Sequence, residues 1–224
     1  MNSKLKFVFD KERDLKNIWE TANSKYQFMD FSKNMPKKWV EICKDKSFDE
    51  CKNELKKEVA IIHDSKLIDY FVEGVKKSWK LIEKEYFKRL EKITRKKIIA
   101  KDVTVYITTA GRCPYDGGDY EWFFVNYFSS FANVLVTCGH EIMHFNFHQF
   151  FWKDVEKQIG KEKTSDLKEA LTILLNIEFN DLWFVSDRGY EVHRELREFI
   201  AKEWVKEKDF KKLLEKCIKY LKRK

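Results

Sequence analysis

The chain has 224 residues, of which 43% are hydrophobic and 16% aromatic, enough apolar side chains for the packed core of one large domain. Its 45 Lys and Arg exceed its 37 Asp and Glu, giving a net charge of +8. These charges are interleaved at helical spacing, a pattern typical of solvated helix faces that argues against a nucleic-acid groove. The five cysteines form no Cys-x-x-Cys pair, which excludes a thiolate zinc knuckle.

No apolar run approaches the roughly 20 residues that span a bilayer, and no apolar signal segment follows Met1. We therefore expect a cytoplasmic location and no membrane partner. Residues 10 to about 100 have the pattern of charged amphipathic helices, in which Leu67, Phe71, Val75 and Trp79 recur every four residues. One long helix, or two in sequence, is expected over residues 64–97.

The pattern changes near residue 102, where β-branched and aromatic residues become frequent. The predicted elements after this point are strands at 103–108 and 121–127, a helix from 133 to about 160, and helices at 164–184 and 190–222. The fold class predicted is α+β, mostly helical, with a small sheet and a long motif-bearing helix. The expected division is an N-terminal helical region, 1–100, and a catalytic region, 101–224.

The motif is His140-Glu141-Ile142-Met143-His144. In an α-helix, positions four apart lie about 6 Å apart along the axis and on nearly the same face. Two imidazoles placed in this way can bind one Zn²⁺ as half of a tetrahedral site. Glu141 lies beside that face, where it can take a proton from an attacking water. The spacing therefore predicts zinc ligands at His140 and His144 and a general base at Glu141.

This segment resembles the extended signature of the zincin metallopeptidases. Thr137 stands where that family usually has Val or Thr, whereas Asn146 departs from the hydrophobic residue that is usual there. The family also has uncharged residues at the positions filled here by Cys138, Ile142, Met143 and Phe145. The resemblance covers about ten residues. It implies a zincin-like catalytic region, bound zinc, and a peptide or protein substrate.

Glu169 is the expected third zinc ligand. Gly160 and the segment Thr164–Asp166 indicate a break and a new helix start, which would return the chain past the histidines. The segment Lys168-Glu169-Ala170-Leu171-Thr172 resembles the glutamate-bearing helix of gluzincins, a branch of the zincins. Glu178, nine residues later on the same predicted helix, is the alternative.

Two nearer residues are weaker ligand candidates. His148 would lie about 12 Å along an unbroken helix from His140, too far to share one ion. It is expected to pack or to line the cleft. Asp154 would need a turn to bring it back, and no turn residue precedes it.

Other side chains are candidates for supporting roles. Gluzincins stabilise the attacked carbonyl oxygen with a downstream His or Tyr, which implies Tyr190 and His193 here. The residues themselves favour a structural role, with Tyr190 in the core and His193 on a helix surface. Asp181 or Asp187 could orient a ligand imidazole. Cys113 could cap the zinc as a latency thiolate.

The leading hypothesis is a zinc metallopeptidase that hydrolyses peptide bonds with Glu141 as general base. One alternative resembles the ImmA/IrrE group, in which a zincin-like domain acts on one specific protein partner. Another alternative is a non-catalytic helical binding protein that is stabilised by zinc. The strand at 122–127 could hold an extended peptide at its edge, or serve only to pack the sheet.

Overall fold

The computed structural model describes residues 4–25, 29–97 and 102–223. The chain forms two compact units. The sheet unit comprises Met1–Trp79 with Lys101–Val134, and the helical unit comprises Lys80–Ala100 with Leu135–Lys224. The predicted division at residue 100 differs from this arrangement, because the strands after residue 102 pair with a strand near the N-terminus.

The sheet unit contains three parallel strands in the order β1-β2-β3. Its elements in chain order are β1 (Leu5–Phe9), α1 (Lys11–Asn23), a 3₁₀ turn (Phe31–Asn34), α2 (Lys37–Cys43), α3 (Phe48–His63), the first part of α4 (Lys66–Thr94), β2 (Val103–Thr108), β3 (Trp122–Asn126) and the start of α5 (Phe131–Phe150). The two predicted strands and the long helix α4 are confirmed. So is the mostly helical α+β class.

Strand β1 is an element that the sequence pattern does not predict. Leu5 and Phe7 are buried and Lys6 is exposed, the alternation expected of a strand with one covered face. A run of five residues is too short for this alternation to be recognised alone. Its partner decides the conformation, since Leu5 pairs with Val103, far along the chain.

The outer edge of β3 is the edge at which a peptide could add as a further strand. The chain itself occupies part of this edge. The backbone N–H of Phe124 donates to the carbonyl of Pro114 at 2.9 Å, and that of Asp116 donates to the carbonyl of Trp122 at 2.8 Å. The structure therefore supports the packing role for this strand.

Helix α1 is fixed to the sheet and to α3 by a fully buried carboxylate, Asp14. Asp14 accepts hydrogen bonds from the Thr108 hydroxyl at 2.5 Å, and from the backbone N–H and hydroxyl of Thr109 at 2.7 and 2.6 Å. Nε2 of His63 lies 2.8 Å from its second oxygen. Around this polar centre, α1–α3 bury an apolar cluster that includes Leu15, Ile18, Trp39, Ile42, Leu55 and Val59.

The helical unit consists of helices and one 3₁₀ turn over its described residues. Its elements are the end of α4, most of α5, α6 (Trp152–Leu171), α7 (Ile173–Glu178), α8 (Asn180–Trp183), a 3₁₀ turn (Glu191–His193), α9 (Arg194–Lys206) and α10 (Phe210–Arg223). In the part of the chain that the structure describes, no helix is both long and apolar enough to cross a bilayer.

The predicted helix boundaries need correction in this unit. The helix expected from 133 to 160 is interrupted at Phe151, whose φ of −130° separates α5 from α6. The break expected at Gly160 is confirmed, because its φ of 79° and ψ of 166° lie outside the helical region. The helices expected at 164–184 and 190–222 are each divided further, into α6–α8 and α9–α10.

We expect Asp14→Ala to lower the free energy of unfolding by about 3 kcal/mol, because it leaves several buried donors without an acceptor. Denaturant unfolding followed by circular dichroism measures this change. Glu12→Ala on the same helix is the control, since Glu12 is in an exposed ion pair with Lys52. It should cost less than about 1 kcal/mol. Equal losses for the two variants would show that Asp14 does not hold α1 in place.

Candidate metal centre

Helix α5 brings the motif into the interior of the helical unit. The hydroxyl of Tyr86 donates to the carbonyl of Gly139 at 2.5 Å, directly before His140. A Cβ added to Gly139 would lie 2.8 Å from the Trp183 ring, so this close approach requires glycine. The helix is thus held firmly at the residue that precedes the first histidine.

His140, His144 and Glu169 converge at one point. Nε2 of His140 lies 3.5 Å from Oε2 of Glu169, and Nε2 of His144 lies 3.2 Å from the same oxygen. Ligands about 2.0–2.1 Å from a zinc ion at tetrahedral angles are about 3.3 Å apart. Each of the three residues has one potential ligand atom, and these atoms all lie within 4.8 Å of one another. Among the described residues, no other set of three or more His, Cys, Asp or Glu side chains meets this criterion. The donors therefore have the spacing and chemistry that a zinc ion requires.

Glu169 reaches the histidines because α6 is broken at Gly160 and continues past α5. Leu167, Ala170 and Leu171, its neighbours in the sequence, are buried, so this part of α6 lies in the interior of the helical unit. The alternative ligand, Glu178, lies elsewhere. Its Oε1 accepts hydrogen bonds from Trp204 and Lys208. The structure brings Glu169, and not Glu178, to the two histidines.

Asp187 holds the other side of His140. Its Oδ2 lies 2.6 Å from Nδ1 of His140, which leaves Nε2 directed at the cluster. Its Oδ1 accepts from the Thr172 hydroxyl at 3.0 Å and pairs with Arg197 at 3.0 Å. The Asn176 side chain bonds both the N–H and the carbonyl of Asp187. Of the two aspartates proposed to orient an imidazole, Asp187 has this position.

Asp181, the other of these aspartates, is in a two-pronged ion pair with Arg89 at 2.6 and 2.8 Å. His148 stacks on Trp152 with 4.4 Å between ring centroids, the packing role expected for it. Asp154 lies in the first turn of α6 and is not in the three-residue group. Cys113 belongs to the sheet unit, where it is partly exposed and not part of a disulfide.

Glu141 is buried beside the histidines, with 7% of its surface exposed. Its Oε2 has no hydrogen-bond partner among the described residues. Burial raises the pKa of this carboxyl to about 7, although the positive charge of His140 opposes the shift. Glu141 can therefore gain and lose a proton near neutral pH.

The two histidines are shifted in opposite directions in the metal-free protein. Burial, together with the positive charges of Lys168 and His140, lowers the pKa of His144 to about 3, so its ring is neutral. Burial also lowers the pKa of His140, but the carboxylate of Asp187 and the hydrogen bond with Glu169 outweigh it and raise the value to about 10. Burial raises the pKa of Glu169, and the neighbouring positive charges bring it well below its usual range. The centre thus holds anionic Glu169 beside a protonated His140.

Tyr190 directly precedes the 3₁₀ turn that leads into α9, and His193 is the last residue of this turn. His193 is buried, and its Nε2 lies 3.1 Å from Asp166, one turn before Glu169 on α6. The Tyr190 ring packs edge-on against His193 at 5.9 Å. His193 is not in the three-residue group. Their role in stabilising a carbonyl oxygen stays a prediction.

Sequence reasoning misses three side chains that contact Glu169 or Asp187: Lys168, Thr172 and Arg197. Lys168 is buried, and its Nζ lies 2.6 Å from Oε1 of Glu169. Thr172 and Arg197 are also buried, with the Arg197 guanidinium donating to the Thr172 hydroxyl at 2.7 Å. A signal for two of them exists, since Lys168 and Arg197 interrupt the apolar faces of α6 and α9 next to Leu167 and Leu196.

Comparisons of this chain with protein-family models, with curated proteins and with solved structures find no match. The interpretation of the centre therefore depends on its own residues.

We expect Asp187→Asn to weaken zinc binding about tenfold to a hundredfold, because it removes the carboxylate that holds the tautomer and ring direction of His140. Competition with a chromophoric chelator measures this affinity. Asp181→Asn is the control, since it changes a surface ion pair with Arg89 and should leave zinc affinity unaltered. Equal affinity of the Asp187 variant and the wild type would contradict the orienting role.

Zinc binding should release one proton from Nε2 of His140 at a pH of about 8.5, and up to one more from water bound to the ion. His144, with a pKa of about 3, contributes none, and Glu141, with a pKa of about 7, is already ionised there. Titration calorimetry in buffers of different ionisation enthalpy counts the protons. Asp187→Asn should release fewer, since the main cause of the raised His140 pKa is gone. No release from the wild-type protein would refute the protonated state of His140.

Proposed function

We propose that this protein is a zinc-dependent hydrolase that cleaves peptide bonds, with His140, His144 and Glu169 as zinc ligands and Glu141 as general base. The observation that carries the proposal is the convergence of two imidazoles and one carboxylate at tetrahedral spacing, beside a buried carboxyl with no hydrogen-bond partner for Oε2 among the described residues.

The donor set supports zinc as the metal. Two imidazole nitrogens and one carboxylate oxygen suit a borderline ion with tetrahedral preference, and three protein ligands leave one position for water or substrate. Zinc bound in this way supplies a Lewis acid and activates water near neutral pH. The side chains of His140 and Glu169 retain 17% and 12% exposure, so these two ligands are not fully enclosed by the protein.

Glu141 carries the proton transfers. Its carboxylate takes a proton from the attacking water and then donates it to the nitrogen of the leaving amine. Both steps need a carboxyl that can take a proton and return it, and in the metal-free protein burial raises the pKa of Glu141 to about 7. The absence of a hydrogen-bond partner for Oε2 within the described residues leaves that oxygen available for water.

The alternatives share parts of this centre. A regulatory peptidase of the ImmA/IrrE kind would use the same residues on one protein partner. It should cleave that partner and ignore unfolded casein. A binding protein that is merely stabilised by zinc would need the three ligands but not Glu141. Dependence on Glu141 therefore separates catalysis from a structural metal.

We expect Glu141→Gln to retain one zinc per chain and to lose at least about a hundredfold in the rate of peptide cleavage, because the amide cannot accept the proton. Zinc content is measured by atomic spectroscopy, and cleavage by mass spectrometry of a diverse peptide mixture. Glu198→Gln, at an exposed position of α9, is the matched control and should cleave at the wild-type rate. A Glu141→Gln protein with zinc bound and full activity would falsify the mechanism.

A further inference from the structure

We propose that Lys168 is a positioning residue that makes Glu169 a one-oxygen ligand and so keeps a coordination position open. This inference rests on the metal centre of the proposed function. It adds a residue that neither the motif nor the resemblance to zincins indicates.

The two oxygens of Glu169 have different partners. Oε2 faces Nε2 of both His140 and His144, whereas Oε1 lies 2.6 Å from Nζ of Lys168. A charge-assisted hydrogen bond of this length is strong and directional. Turning the carboxylate to present both oxygens to the ion would break it.

Burial makes this pair hard to break. Only 4% of the Lys168 side chain and 12% of the Glu169 side chain are exposed. A buried ammonium that loses its carboxylate partner is left with uncompensated charge in a poorly solvating surrounding. The Lys168 charge also lowers the pKa values of Glu141, His144 and His148, which agrees with a place between α5 and α6. The protein therefore holds Oε1 away from the ion.

The same arrangement appears on the other side of the centre. Asp187 contacts His140 through Oδ2, while its Oδ1 pairs with the buried guanidinium of Arg197. Each of these carboxylates thus offers one oxygen to the centre and one to a buried cation. The net charge of the centre is −1 when both histidines are neutral. It is the sum of three carboxylates (Glu141, Glu169 and Asp187) and two cations (Lys168 and Arg197).

The consequence is a difference between a catalytic and a structural metal. An ion held by two imidazoles and one oxygen of Glu169 has three protein ligands and an open fourth position. A second oxygen from Glu169 would occupy space that water or a carbonyl oxygen needs. Lys168 favours binding of the ion through one oxygen of Glu169, and it does so without contacting the substrate.

Cobalt substitution tests the proposal, because Co²⁺ reports coordination number through its visible absorption. The wild-type protein loaded with one Co²⁺ should show the intense bands of a four-coordinate ion. Lys168→Met should bind one Co²⁺ and lose most of this intensity, as Oε1 swings to the ion and makes it five-coordinate. Lys168→Gln, whose amide does not reach Oε1, should show the same loss if the Met variant does not fold.

Two further variants complete the test. Lys168→Arg should restore the wild-type bands, because a guanidinium still donates to Oε1. Lys161→Met, at an exposed position of the same helix, should leave them unchanged. A folded Lys168→Met or Lys168→Gln protein with the wild-type spectrum overturns the inference and leaves the zinc centre standing. Failure of the wild-type protein to bind Co²⁺ or Zn²⁺ overturns both proposals.

Discussion

The helical unit is organised around the burial of the Glu169 carboxylate. A carboxylate removed from water is stable only when positive charge, a proton or a metal compensates it. Three groups do so here: the imidazoles of His140 and His144 on α5, and the ammonium of Lys168 beside it on α6. Because these partners come from two helices, the requirement to compensate one charge also fixes how the helices pack. A change at Glu169 would remove this shared carboxylate from all three groups.

The irregular segment after α8 is made rigid by a second set of buried polar contacts. Asn176 bonds the backbone of Asp187 in both directions, and Arg197 donates to its carbonyl at 2.8 Å. Gly189, with a φ of 62°, follows closely, and a Cβ there would lie 2.7 Å from the Arg197 guanidinium. A loop would otherwise be a poor support for a ligand imidazole. These contacts fix the backbone of Asp187 although it lies in a loop.

Local patterns account for what the sequence predicts well. The spacing of His140 and His144 indicates a shared helix face, and the glycine at position 160 indicates the break that returns Glu169 to them. Strands β2 and β3 are visible as β-branched and aromatic runs. The failures are non-local. β1 becomes a strand through β2, and the helix that was expected to run to residue 160 is interrupted at Phe151, which has no glycine or proline beside it. The position of Lys168 next to Leu167 is a weak signal among many lysines, and only the structure shows that Lys168 is buried.

Two buried carboxylates, those of Asp14 and Glu141, show how differently a fold can treat the same group. Asp14 is saturated by two hydroxyls, one backbone N–H and the His63 ring, as a carboxylate with a structural role should be. Glu141 is almost as buried, yet its Oε2 finds no donor among the described residues. Raising its pKa from 4.5 to about 7 corresponds to about 3 kcal/mol of stability lost when it is ionised. The sign follows from the raised value: the metal-free fold favours the protonated form, so this cost grows as the pH rises from about 4.5 to about 7 and is constant above that range. The same fold surrounds Asp14 with hydrogen-bond donors. The missing donor at Oε2 of Glu141, among the described residues, is therefore specific to the position of Glu141. An unsaturated carboxyl that titrates near neutral pH is poorly suited to holding helices together and well suited to exchanging protons with water.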